Sequence, residues 1–148
     1  MDKTTIIYLE KNNQYLMLHR NKKEKDINKD KWIGVGGHIE KDETNDQCIV
    51  REVKEETNLD LIDFKLKGEV VFDIDGYLEI MYVYTSSNFK GEMKDCNEGT
   101  LVWIDKDKVL DLNIWEGDKI IFEKMKLDDY FKLKMMYRND ILISVEEY

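Results

Sequence analysis

Apolar residues fall in short clusters along this chain, separated by charged and turn-forming stretches. Thr4 to Leu9 and Gln14 to His19 read as two strands joined by the turn Lys11-Asn12-Asn13. Arg20 to Lys31 is a polar loop, and Trp32 to Gly37 a short extended segment. A helical period then takes over from Thr44 to Thr57. Thr44 is a good N-cap and Gln47 completes a capping box. At about 100° per residue, Ile49, Val50 and Val53 make one apolar stripe, Glu52, Glu55 and Glu56 make the next, and Gln47 and Lys54 face solvent. Asn58 suits a left-handed residue ending the helix.

Further strands are expected near Asp63 to Ile74 and Tyr77 to Thr85, joined at the hairpin pair Asp75-Gly76, and around Leu101 to Ile104. A second helix is expected from Asp118 to Lys126, with Asp118 as its N-cap. Tyr130 to Tyr137 and Ile141 to Val145 read as a closing hairpin turning at Asn139-Asp140. This order is compatible with an α+β fold, a mixed sheet between helices, in one domain spanning 1–148. The pattern alone leaves the topology open.

Composition adds limits. The 148 residues are 42% hydrophobic with three tryptophans, enough for a core rather than a disordered chain. Cys48 and Cys96 make no disulfide framework, and Cys48 reads as a structural thiol. No apolar run reaches membrane-spanning length and the N-terminus has no signal-peptide pattern, so a cytoplasmic protein with no membrane partner is expected. A net charge of −9 argues against a nucleic acid polymer as partner. An anionic small substrate has to arrive with a metal or meet a local basic patch. Arg20, Lys22, Lys23, Lys25, Lys29 and Lys31 form one candidate, with Arg20, closing its strand, best placed at the mouth of a cleft.

The acids carry the chemistry. Glu52, Glu55 and Glu56 stand at i, i+3 and i+4, so like charges crowd near a helix C-terminus, where the backbone dipole also disfavours them. A bound divalent cation reverses both penalties. Oxygen-only ligation suits magnesium or manganese rather than zinc. Arg51, at i, i+4 from Glu55, is able to hold that carboxylate. His19 and His38 form no zinc pattern, and Asp73-Ile74-Asp75-Gly76 lacks the spacing of a calcium loop. Met125, Met135 and Met136 read as core filler.

The positions Gly37, Glu43, Arg51, Glu52, Glu55, Glu56 and Leu59 resemble the Nudix box, with Asn58 where the family has a final glycine. Trp32-Ile33-Gly34-Val35-Gly36-Gly37 and Glu40 resemble the usual approach to it. The resemblance implies the Nudix fold, a mixed sheet sandwiched between helices (α/β/α), and hydrolysis of a phosphoanhydride. It implies Glu52, Glu55, Glu56, the Gly36 carbonyl and Glu98 as ligands of Mg2+ or Mn2+, Glu52 or Glu56 as general base, and Glu43 and Arg51 as orienting groups. Trp103, Trp115-Glu116-Gly117-Asp118 and Tyr130-Phe131-Lys132 are further similar to the branch acting on oxidised purine nucleoside triphosphates. That likeness implies that Trp115 stacks on the base and Asp118 reads its edge, while Arg20 is expected to meet the substrate from its place at the cleft mouth. Gly117 and Ile33 depart from the branch, which favours nucleoside triphosphate diphosphohydrolysis over 8-oxo-dGTP in particular. ADP-ribose, nucleoside diphosphate sugars, dinucleoside polyphosphates or a non-catalytic nucleotide sensor are the alternatives. A monomer or a homodimer is expected.

Overall fold

β1 (Asp2–Lys11) is the central strand of the computed structural model, which describes residues 1–148. Its residues Thr4 to Leu9 are buried without a break. Side chains alternate across a strand, so Ile7 and Leu9 pack on one face with Ile49 and Val53, and Ile6 and Tyr8 on the other with Ile121 and Phe122. Ile49 and Val53 belong to α1 (Asn45–Thr57), and Ile121 and Phe122 to α2 (Glu116–Met125). The mixed sheet therefore lies between helices, the α+β arrangement expected from the sequence.

β1 pairs antiparallel with β2 (Gln14–His19), which is flanked by β3 (Trp32–Ile33) and β7 (Thr100–Asp105). It also pairs antiparallel with β4 (Val35–His38). On its other side β1 runs parallel to β6 (Tyr77–Lys90), which forms a long hairpin with β5 (Asp60–Ile74). β5 runs parallel to β8 (Phe131–Arg138), and β9 (Ile141–Glu147) closes the order antiparallel to β8. Three hairpin turns place both central residues at positive φ: Asn12-Asn13, Asp75-Gly76 and Asn139-Asp140. Those are residues that tolerate this conformation, and the turns match the right-handed twist of the strands.

α1 forms as its sequence specifies. Thr44 Oγ1 accepts from the Gln47 N–H at 3.1 Å, the Gln47 side chain accepts from the Thr44 N–H at 2.9 Å, and Asn58 ends the helix at φ 69°. Its buried stripe is Cys48, Ile49, Val53 and Thr57. The expected place of Val50 in that stripe is corrected, since Val50 is 40% exposed. Cys48 takes the position, its thiol 3.2 Å from Thr5 Oγ1 of β1. A second correction concerns Asp118. α2 begins at Glu116 with Trp115 at the N-cap and no capping side chain, so Asp118 lies inside the first turn. The Gly117 N–H donates instead to the Tyr137 hydroxyl at 2.7 Å. A short 3-10 turn, Val109–Asp111, was not visible in the apolar pattern. Met125 and Met135 are core residues as expected. No helix is long and apolar enough to cross a membrane.

Candidate active site

β4 delivers two glycines to the surface of α1. A Cβ on Gly36 would lie 1.9 Å from the Thr5 carbonyl oxygen, and one on Gly37 would lie 2.5 Å from Glu52 Oε1. Only glycine lets the strand run this close to both its neighbour and the helix carboxylates. The Gly36 N–H donates to Glu56 Oε2 at 3.1 Å, so strand and helix share a charge-assisted hydrogen bond at the start of the cleft. Gly36 is thus tied to the acids through its amide nitrogen.

Arg51 organises the carboxylates. Its guanidinium holds Glu43 through two bonds, Nε to Oε2 at 2.7 Å and Nη2 to Oε1 at 2.9 Å. Nη1 reaches Glu52 Oε1 at 2.9 Å and Glu55 Oε2 at 3.2 Å, and Nη2 also reaches the His38 carbonyl at 3.1 Å. These contacts pull Glu43 down to a pKa of about 2, mainly through the hydrogen bonds from Arg51. The same bonds turn Glu55 away from the cleft, leaving its side chain 58% exposed. Glu52 and Glu56 face the other way and line the cleft with Glu98, which comes from the segment ahead of β7. Burial raises the pKa of Glu52 and pushes Glu56 well above the usual carboxylate range, and the Glu52 and Glu98 charges raise Glu56 further.

The cleft holds about 730 Å3. The acids and Gly36-Gly37 occupy one end, and Trp115, Asp118, Phe72, Ile74, Met81 and Tyr137 line the other. Of the six basic residues between Arg20 and Lys31, Arg20 alone lines it. Its Nε donates to Asp26 Oδ2 at 2.7 Å and its Nη1 to Glu98 Oε2 at 3.3 Å. Lys22 and Lys23 instead hold the acidic segment, through the Cys96 carbonyl at 2.7 Å and Glu98 at 3.5 Å. Trp115 meets Tyr137 edge-on at 5.8 Å, has Lys31 Nζ 4.6 Å from its ring centroid, and donates its indole N–H to Asn28 Oδ1 at 2.8 Å. A smaller cavity of about 190 Å3 beside Tyr15 and Phe122 contains none of the box acids.

Asp118 is 8% exposed, and burial raises its pKa from 3.8 to about 7, with nearby Lys31 lowering it. An acid whose folded pKa is raised binds more protons in the native than in the unfolded state. Stability therefore falls as pH rises from about 4 to about 7 and carries the full penalty above that. Asp118→Asn should flatten this part of the pH–stability profile and raise stability at pH 8 by an amount on the order of a few kcal/mol. Thermal denaturation from pH 4 to 9 checks it.

Several cleft residues carry no motif. Asp26 and Asn28 sit in a polar loop without periodicity. Phe72, Met81 and Tyr137 come from three strands and meet only through sheet pairing. The alternation of Phe131, Leu133, Met135 and Tyr137 with mostly basic residues is the sequence signal for an inward-facing Tyr137, and β8 buries those four.

No group of three or more His, Cys, Asp or Glu side chains is already set out as a metal cage. Arg51 and the Gly36 amide each engage one carboxylate oxygen of Glu52, Glu55 and Glu56. The donor set still fits a hard dication. Glu52, Glu56 and Glu98 are all oxygen donors, and burial together with mutual repulsion makes Glu52 and Glu56 costly as unpartnered anions.

A sheet between two helices, with a helix-borne acid cluster at one end of an open cleft, is the arrangement the box motif implied. The NUDIX domain family matches residues 2–125, and the chain belongs to the Nudix family. An oxidized purine nucleoside triphosphate hydrolase of Danio rerio is 30% identical over 110 residues, covering 70% of each chain. A MutT protein from Bacillus halodurans superposes with a TM-score of 0.87 at 27% identity, over 99% of this chain and 97% of that one. The Nudix domain of NrtR from Shewanella oneidensis, solved with ADP ribose, shares the fold with a TM-score of 0.69 at 16% identity, over 84% of this chain and 85% of that one.

Proposed function

We propose that residues 1–148 act as one Nudix domain that hydrolyses a purine nucleoside triphosphate, oxidised purines included, to the nucleoside monophosphate and pyrophosphate. The observation that carries this is the two-ended cleft, with the partly buried Glu52, Glu56 and Glu98 together in one part and Trp115 and the buried Asp118 in the other. A triphosphate spans the acid end while a planar base stacks on the indole and meets the Asp118 carboxyl at its edge. The likeness to the oxidized purine nucleoside triphosphate hydrolase of Danio rerio supports this choice.

Glu52, Glu56 and Glu98 are the proposed holders of magnesium or manganese, with the Gly36 carbonyl and Glu55 joining them if Arg51 releases Glu55. The bound ion would supply charge neutralisation of the phosphates and Lewis-acid activation of the attacked phosphorus. Glu56 or Glu52 takes the proton of the attacking water. The water oxygen bonds to an internal phosphorus, the anhydride P–O bond breaks, and pyrophosphate departs. Arg51 fixes Glu52 against Glu43, and Arg20 meets the incoming phosphates at the cleft mouth.

A panel of nucleotides with magnesium, assayed for pyrophosphate and phosphate, tests the reading. Pyrophosphate from purine triphosphates is the expected outcome. Turnover confined to ADP-ribose, a sugar nucleotide or a dinucleoside polyphosphate would assign a different Nudix substrate. Tight binding without turnover would make the chain a nucleotide sensor.

A further inference from the structure

A line of polar contacts runs from the acid cluster to the far end of the cleft. Glu98 Oε2 accepts from Arg20 Nη1 at 3.3 Å, and Arg20 Nε donates to Asp26 Oδ2 at 2.7 Å. Asp26 Oδ1 accepts the Asn28 N–H at 3.0 Å, and Asn28 Oδ1 accepts the Trp115 indole N–H at 2.8 Å. The Asp26 side chain is only 4% exposed, so its pair with Arg20 is a closed latch rather than a solvated surface contact. That latch fixes the backbone of Asn28. The side-chain oxygen of Asn28 then fixes the direction of the indole N–H.

Trp115 needs this support. It is the N-cap of α2; its carbonyl accepts the Asp118 N–H at 3.0 Å, but its side chain makes no cap bond. Its ring is half-buried against the core, with Tyr137 at an angle of 83° and a lysine over it, contacts that lack the directional demand of a hydrogen bond. The Asn28 bond is the directional contact that sets where the indole N–H points.

We infer that Asn28 is a positioning residue for nucleobase stacking: it orients Trp115, and the Arg20–Asp26 pair holds Asn28 in place. This rests on the base-stacking role given to Trp115 in the proposed function. An indole already aligned in the free protein loses less freedom when a base stacks on it, so the contribution falls on substrate affinity. The polar line also joins the phosphate end of the cleft to the base end through one loop.

The test uses the three indole N–H signals in a nitrogen-15 correlation spectrum, from Trp32, Trp103 and Trp115, with Trp115→Phe assigning the third. Asn28→Ala is expected to move the Trp115 signal and leave the other two. It is also expected to raise KM for a purine triphosphate about fivefold, the weight of one neutral hydrogen bond, with a smaller change in kcat. Asn28→Asp keeps an acceptor oxygen and should restore both readouts towards the native values. An unmoved Trp115 signal in Asn28→Ala overturns the inference, as does a loss of kcat at unchanged KM. An Asn28→Asp protein no closer to native than Asn28→Ala overturns it equally. If the native protein hydrolyses no nucleoside triphosphate, the proposed function fails separately. Titration with GMP, followed at the Trp115 signal, then decides the positioning role: tighter binding by the native protein supports it, and equal affinity or no response overturns it.

Discussion

Glu56→Gln should lower kcat by about 10²- to 10⁴-fold, the range for losing a positioned proton acceptor, while circular dichroism and the indole spectrum stay native. Glutamine keeps the size of the side chain and still offers an oxygen to the Gly36 N–H. What it removes is a carboxylate that burial and the Glu52 and Glu98 charges already disfavour. The metal-free variant should therefore melt no lower than the native protein at pH 8, and magnesium should raise its melting temperature by less. Full activity in Glu56→Gln, or an unchanged response to magnesium, would remove this residue from the proposed site.

Arg51→Ala has the second large effect, on fold and activity together. The guanidinium is 23% exposed and bonds Glu43, Glu52, Glu55 and the His38 carbonyl. Its removal leaves two mostly buried carboxylates, Glu43 and Glu52, without their cation, 11% and 12% exposed respectively. A cost of about 2 to 3 kcal/mol is expected from hydrogen bonds to charged groups. Activity should fall about 10- to 100-fold, as for other groups that orient metal ligands. The acid limb of stability should change as well. Glu43 is held at about 2 against an ordinary 4.5, so its contribution is present above about 4.5 and is lost as pH falls towards about 2. Urea denaturation of both proteins between pH 2 and 7 checks this, since in Arg51→Ala that pH-dependent loss should largely vanish.

What was legible in the sequence was what local chemistry decides. Thr44 with Gln47 and Asn58 bounded α1, and pairs of Asn, Asp and Gly marked three hairpins, because each satisfies its own backbone within a few residues. The acid cluster was legible because its spacing is costly on a helix without a counter-charge. Errors arose where a distant partner takes over a local task. The start of α2 was misplaced because the Tyr137 hydroxyl, from β8, satisfies the Gly117 N–H that a capping side chain ordinarily would. That freed Asp118 from capping and left it buried in the cleft. The turn of α1 against β1 cannot be read from the helix alone, and the Thr5–Cys48 contact turns the buried stripe to the Cys48 side of Ile49 instead of the Val50 side. Asp26 and Asn28 were invisible for a similar reason. Their partners, Arg20, Glu98 and Trp115, converge only after the sheet has formed.

The pairing of β1 has a consequence for how the polypeptide matures on the ribosome. Its neighbours Val35–His38 and Tyr77–Lys90 are synthesised well after it, and its two faces wait for α1 and α2 respectively. Thr4 to Leu9 is thus translated before these partners and sheltered only once they emerge, leaving a strand edge bare through that interval. That interval is when a nascent chain of this topology is most open to chaperone capture or to pairing with a neighbouring copy.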